Sequence, residues 1–355
     1  MTLPLVIKFG GDALATPERI AGAARRIVER SSHQPVVAVA SARRGVTDHL
    51  ISLVTRVRDE TRGGCAPPAA GARASDRAIA TGELVAASLL AVALEQLGIR
   101  AVALDAREAG LGSSGNPGDA RLVSIHPGKV CRLLERGIVP VVTGFQGWHR
   151  GRITTLGRGG SDVTAVALAA ALGAERCELV KERGGLHTAD PREVPEARLI
   201  PRTSHRFVAE LAAAGARVIH HLAADQAERD GVRLRFTSLS ASAPADTIVD
   251  GNELGTDAVA IAHGSGRRDF PAPTDTADLA TVTIVSALPD VSPTIRAAAT
   301  TAAARSGISI AGTSHGPHTF RFVVAPRDAL SLLRTLHAAV ADRQPAAAER
   351  PMTSA

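Results

Sequence analysis

The chain alternates short, uniformly apolar runs with longer stretches in which apolar residues recur at helical spacing. Leu5–Phe9, "VVAVA" after Pro35, "RAVAL" (100–104), "GIVPVVTGF" (137–145) and "CELV" (177–180) read as strands with no polar face. Strands of that kind belong in a parallel sheet covered on both sides. Helical patterns lie between them. One opens at Thr16-Pro17-Glu18, with a capping hydroxyl, a proline in the first turn and an acid at the positive end of the dipole. Others are expected from about Thr47, over 75–98 as one long helix, and over 161–174.

After Phe236 the pattern thins. "SLSASAPADT" (238–247) and "GSGRRDFPAPTDTADL" (264–279) have linker composition. A compact β-α-β-β-α order then follows: strand 281–286, helix 292–307, strands 308–312 and 318–325, helix 327–340. The expected architecture is α/β, a mainly parallel sheet between helices plus a small α+β unit. The domains are expected at 1–263, with a linker at 264–279, a second module at 280–342 and a disordered tail at 343–355.

A length of 355 residues suits two domains. No uninterrupted apolar run approaches 18 residues, and Met1-Thr2-Leu3-Pro4 lacks the basic and apolar regions of a signal peptide, so a soluble, cytoplasmic chain is expected. Cys65, Cys131 and Cys177 have no metal-ligand spacing and read as reduced and structural. The net charge of +6 raises the question of nucleic acid. Dispersed arginines and 2% aromatics, with few rings on which bases could stack, argue against it.

Of the 41 basic residues only Lys8, Lys129 and Lys181 are lysine. A chain that writes arginine nearly everywhere keeps lysine where a compact ammonium is needed. Lys129 reads as a surface residue, whereas Lys8 and Lys181 both stand beside glycine turns. In "VIKFGGDAL" (6–14) Lys8 ends a strand and Gly10-Gly11 follow, so backbone N–H groups can approach a phosphate. A tight turn with a solvated lysine is the plain alternative. "TTLGRGGSDVTAVALAAALGA" (154–174) sets Arg158 among glycines and Ser161-Asp162 at a helix start, suited to gripping an anion. "GLGSSG" (110–115) fits a dinucleotide pattern poorly, because it neither follows a strand directly nor opens a helix, and no P-loop motif is present.

These stretches, with "VVAVASARRGVTDHL", "ATGELVAASLLA", "VVTGFQG" and "HTADPREVPEARLI", come in an order that resembles the aspartokinases of the amino-acid kinase superfamily over roughly residues 4–250. The unit at 281–340 resembles an ACT regulatory domain, of which this chain has one copy where such proteins usually have two. The resemblance implies ATP-dependent phosphorylation of the side-chain carboxylate of L-aspartate, or of a close analogue in a specialised biosynthetic pathway, with Mg²⁺ accompanying the nucleotide. It implies catalytic roles for Lys8, Asp162 and Arg217. Ser41, Thr47, Glu83, Arg158 and Ser161 would bind the amino acid, Arg158 taking a carboxylate and Glu83 balancing the ammonium. The nucleotide would meet Lys8, Gly10, Gly11, Asp12, Lys181, Glu182, Gly185, His187, Arg192 and Arg217. No protein-held metal site is implied. A homodimer through the ACT-like unit is implied.

The departures cluster on the nucleotide side. Asp12 stands where a serine or threonine is usual, and an extra magnesium contact, weaker ATP binding or a side chain turned away are all open. "KERGG" (181–185) puts Lys181 and Glu182 where threonine and aspartate are usual, and His187 replaces a tyrosine. Arg217 replaces a lysine, keeping the charge with a different shape. His220 and His221, being adjacent, are expected to diverge and to be structural. A catalytically weak or inactive aspartokinase-like binding or regulatory subunit is the competing reading.

Overall fold

The computed structural model describes residues 2–61, 69–157, 159–182, 184–239, 246–251, 259–265 and 279–341. Cys65, Arg158, most of both linker-like stretches and the tail lie outside them. The chain divides into two units, Met1–Gly185 with Leu222–Asp250, and Leu186–His221 with Gly251–Ala355.

In chain order the first unit runs β1 (Leu5–Phe9), α1 (Pro17–Ser31), β2 (Val36–Ala40), α2 (Val46–Glu60), α3 (Ala69–Ile79), α4 (Thr81–Gln96) and β3 (Ala101–Leu104). It continues with β4 (Leu111–Asn116), β5 (Asp119–Ile125), α5 (Gly128–Glu135), β6 (Val139–Thr143), β7 (Gln146–His149), β8 (Arg152–Thr155), α6 (Gly160–Ala171) and β9 (Arg176–Lys181). The chain then enters the second unit with β10 (Leu186–His187), β11 (Leu199–Ile200), β12 (Arg202–Thr203) and α7 (His205–Ala213). It returns for α8 (His221–Asp230), β13 (Leu234–Ser238) and β14 (Thr247–Val249). The second unit is completed by β15 (Val259–Ser265), β16 (Ala280–Ser286), α9 (Pro293–Arg305), β17 (Ile310–Gly316), β18 (Thr319–Val324) and α10 (Ala329–Ala341).

The main sheet of the first unit has the order β14-β13-β9-β1-β2-β6-β3, parallel throughout apart from the antiparallel β13–β14 pair. Alternation along β1 sorts its side chains. Leu5, Ile7 and Phe9 join the core built from α1 (Ile20, Ala23, Ala24, Ile27) and α4 (Ala86, Ala87, Leu90, Leu94). Val6 and Lys8 therefore fall on the opposite face, where α6 packs. Helix α1 begins as the sequence dictates, with Thr16 Oγ1 accepting the Arg19 N–H and Pro17 in the first turn. Glu178 on β9 is fully buried. Burial alone would raise its pKa, but Arg26 (2.9 Å) with Arg30 and Arg235 holds it below the ordinary carboxylate value.

Two expectations are corrected. The helix expected over 75–98 breaks at Ala80: its carbonyl accepts from Gln146 Nε2 (2.7 Å) and the Thr81 hydroxyl bonds back to the Ala78 carbonyl (2.7 Å). An 18-residue window within Ala72–Gln96 is nonetheless apolar enough to cross a membrane by length and composition, although α4 supplies one side of the core instead. "GLGSSG", a poor fit to the dinucleotide pattern, is β4, inside a second four-stranded sheet of order β5-β4-β7-β8.

The second unit is a two-layer α/β body. Its antiparallel sheet runs β15-β16-β18-β17, and Val282, Ile284, Phe322 and Val324 meet Ala299, Ala303, Leu332, Leu333 and Leu336 of α9 and α10. The segment 186–200 belongs to this body. Ala189 and Val194 enter the same core, the Thr188 carbonyl accepts the Ile261 N–H (2.8 Å), and the Glu193 carbonyl accepts from Arg334 Nε (2.8 Å). His220 and His221 do not diverge: the turn before α8 brings their rings to 4.4 Å between centroids, tilted by 37°.

Candidate functional site

In an open parallel sheet, ligands meet the carboxyl ends of the strands. Here the carboxyl ends of β1, β2 and β9 carry Lys8 with Gly10-Gly11, Ser41, and Lys181. Lys8 is buried and its Nζ lies 2.6 Å from Asp162 Oδ1. Asp162 sits in the first turn of α6, which opens after Gly159 in the left-handed conformation (φ 75°). The Lys181 ammonium lies 3.6 Å from the same Asp162 oxygen. Burial lowers the Lys181 pKa to about 8; Asp162 pulls it up and Lys8 pushes it further down.

The glycines have steric reasons. A Cβ on Gly11 would stand 2.8 Å from the Ala42 carbonyl oxygen, so the loop after β1 can lie against the loop after β2 only as glycine. The contact is fixed by the Arg44 N–H donating to the Gly11 carbonyl (3.1 Å) and the Ser41 N–H donating to the Phe9 carbonyl (3.1 Å). A Cβ on Gly144 would overlap Ser161 at 2.6 Å, so the end of β6 admits the start of α6 for the same reason.

Glu83, in the first turn of α4, is 2% exposed. Its Oε1 accepts the Ala42 N–H at 3.2 Å and the Thr47 hydroxyl also lowers its pKa. Among the described residues Oε2 has no hydrogen-bond partner. Burial dominates and pushes the carboxyl up to about 7. Ala42 thus touches both the glycine loop, through its carbonyl, and Glu83, through its N–H.

Asp12 pairs with Arg44 at 3.1 Å, and its backbone carbonyl accepts from Arg19 (2.7 Å). Glu182 is 3.9 Å from Arg19, a long pair at an exposed position. Gly185 has φ 70°. Arg158 lies outside the described residues. His187, Arg192 and Arg217 belong to the second unit, where His187 pairs with Leu199 across β10–β11, Arg192 makes a forked pair with Asp190, and Arg217 is exposed in a turn. Lys129 is a partly exposed partner of Glu108 at 2.7 Å.

Two residues with a positioning role had no signal in the sequence. Asp76, 2% exposed on α3, accepts from the Thr155 N–H (3.1 Å) and hydroxyl (2.9 Å), anchoring the strand that leads into the glycine run before α6. Gln146 bonds both Thr143 (2.9 Å) and the Ala80 carbonyl, tying the end of β6 to the start of α4. Neither stands out locally, because the bonds that matter, Gln146 to Ala80 and Asp76 to Thr155, span 66 and 79 residues.

Residues 4–238 match the model of the amino acid kinase family. An aspartokinase of Corynebacterium efficiens is 38% identical over 252 residues, 70% of this chain and 58% of that protein. One of Thermus thermophilus is 41% identical over 236 residues, 66% of this chain and 56% of that protein. The chain thus spans little more than half the length of these relatives. Among solved structures, aspartate kinase from Synechocystis superposes with a TM-score of 0.60 at 26% identity, covering 96% of this chain and 70% of that one. Aspartokinase III of E. coli, in complex with aspartate and ADP, superposes with a TM-score of 0.79 at 20% identity, covering 95% and 99%, which speaks to the fold alone. With two thirds of its residues matched by the family model and with the Lys8–Asp162 pair at the carboxyl edge of a parallel sheet, this chain belongs to the amino acid kinase family.

Proposed function

We propose that the protein transfers the γ-phosphoryl group of ATP to the side-chain carboxylate of L-aspartate or a close analogue, giving an acyl phosphate. One observation carries this reading: Ala42 joins the glycine loop beside Lys8 to a buried carboxyl, Glu83, that has an acceptor atom to spare. A phosphate cradle and a seat for an ammonium are therefore neighbours. A buried acceptor without a partner is costly, and an incoming α-ammonium offsets that cost. Phosphoryl transfer asks for positioning and charge stabilisation more than for covalent chemistry, and Lys8 and Asp162 supply a preorganised charge pair.

Among the described residues no three His, Cys, Asp or Glu side chains converge on a metal-sized space. A magnesium ion fits as an escort of the triphosphate, neutralising phosphate charge. Ser41, Thr47, Ser161 and Arg158 would complete the amino-acid side. His187, Arg192, Arg217, Glu182 and Gly185 would contribute to the nucleotide side. The kinase domain over 1–263, the ACT-like module over 280–342, a homodimer through that module and a cytoplasmic location belong to the same reading.

Trapping the product with hydroxylamine across a panel of acidic amino acids tests it, with Lys8→Ala as control. Hydroxamate from L-aspartate or an analogue, lost in the variant, supports the proposal. No hydroxamate from any acid in the panel, with ATP and Mg²⁺ present, refutes it and leaves the non-catalytic subunit.

A further inference from the structure

Asp162 is shared. Lys8 approaches its Oδ1 at 2.6 Å and Lys181 approaches the same oxygen at 3.6 Å, from adjacent parallel strands β1 and β9, while Asp162 itself comes from α6. One carboxylate between two ammonium groups leaves a positive charge over. Lys8 and Asp162 side chains are 7% and 8% exposed and Lys181 is 25% exposed, so the excess charge sits on the member of the trio that solvent reaches. Lys8 Nζ also lies 3.8 Å from where a Cβ of Gly10 would stand, placing the glycine loop on the same charge.

Resting on the kinase reading above, we propose that Lys181 is a catalytic residue: its ammonium leaves Asp162 to hold the transferring phosphoryl group beside the glycine loop, whose Gly10 N–H donates to the Val180 carbonyl (3.2 Å), with Lys8 as the second cation. The group then sits between two ammonium charges that a single carboxylate keeps from repelling each other in the empty site. In the step itself the bond between the γ-phosphorus and the oxygen bridging to the β-phosphate breaks, its electron pair staying on ADP. A lone pair of the acceptor carboxylate forms the new P–O bond, and no proton changes hands. Lys181 therefore acts by charge alone, and a cation of either shape serves better than none.

The groups facing Lys181 decide how that charge behaves. They are Asp162 on α6, Lys8 on β1 and, along its own strand, Cys177, whose thiol burial drives well above its ordinary value and which stays neutral. Without a ligand, Lys181 loses its proton near pH 8. An arriving polyanion stabilises the ammonium, so ATP binding above pH 8 takes up a proton.

The test combines turnover and calorimetry on the full chain, for wild type, Lys181→Met and Lys181→Arg. In wild type, kcat/KM for ATP falls above about pH 8, and MgATP binding at pH 8.5 takes up at most roughly three quarters of a proton, read from its heat in two buffers of different ionisation enthalpy. Lys181→Met is expected to lose at least a hundredfold in kcat at pH 7, together with the alkaline limb and the proton uptake. Lys181→Arg is expected to stay within about tenfold of wild type, with the limb displaced to higher pH. Wild-type turnover with Lys181→Met inside threefold of it and the same alkaline limb would overturn this inference and leave the kinase reading standing. Wild type that binds MgATP with proton uptake but makes no acyl phosphate would remove the kinase reading and keep Lys181 as a phosphate ligand. No MgATP binding at all would remove both.

Discussion

Replacing Glu83 by glutamine separates what this carboxyl does for stability from what it does for substrate. The group is 2% exposed and its pKa is raised from the ordinary 4.5 to about 7, burial outweighing the Ala42 N–H and the Thr47 hydroxyl. Between those two values the folded chain holds a proton that the unfolded chain releases, so stability falls as pH rises through that window and the loss is complete above pH 7. At about 1.4 kcal/mol per pH unit, that span amounts to roughly 3 kcal/mol in the ligand-free protein. Glutamine keeps the acceptor for the Ala42 N–H and removes the ionisation. Urea titrations of wild type and Glu83→Gln at pH 5 and pH 8, without ligand, should show similar midpoints at pH 5 and a more stable variant at pH 8. The same variant should lose amino-acid binding, because an amide cannot balance an ammonium. Equal pH dependence of the two proteins would refute the burial argument. A Glu83→Gln protein that still bound L-aspartate with unchanged affinity would refute the role assigned to the carboxylate.

Lys8→Ala should lower kcat by at least about a hundredfold, as expected for removing a preorganised charge, in the same hydroxamate assay. Gly11→Ala forces a Cβ to 2.8 Å from the Ala42 carbonyl oxygen and should destabilise the protein by roughly 1–3 kcal/mol in urea titration. His337 of α10 is buried against Thr188 at 2.9 Å, and burial lowers its pKa. The unfolded chain therefore binds a proton that the folded one resists, stability falls as pH drops below about 6.5, and His337→Leu should abolish that dependence in the same titrations. Cys177, fully buried with its thiol pushed up, should resist thiol reagents until the protein unfolds, which mass spectrometry of labelled peptides reads directly.

The strands that carry Lys8 and Lys181 were legible because a central parallel strand is apolar on both faces, and "LVIKF" and "CELV" have no other good explanation. The Thr16 cap and the small module's helices were legible for similar local reasons. The sheet β5-β4-β7-β8 was not. Its strands mix glycine, serine and charge, and β4 meets β7 through the single pair Gly112–Trp148, 36 residues apart, which no local pattern announces. Strand β15 was hidden by the linker composition that follows it. At the site, a glycine turn pointed to Lys8 and a helix start to Asp162, while Glu83 came only with the aspartokinase resemblance; the sharing of Asp162 by two lysines depends on strand register, Lys8 opposite Leu179 and Lys181 two residues on. Asp76 and Gln146 act through distant partners and left no trace in their neighbourhoods.

The path of the backbone has a consequence for how such a protein can be rebuilt. It crosses between the two units after Gly185, after His221 and after Asp250. Recombination that swaps only the C-terminal segment would strip β10 to α7 of the sheet and helices they fold against, leaving Ala189 and Val194 bare. The second body is therefore easier to alter by point changes inside it than by exchanging its C-terminal segment.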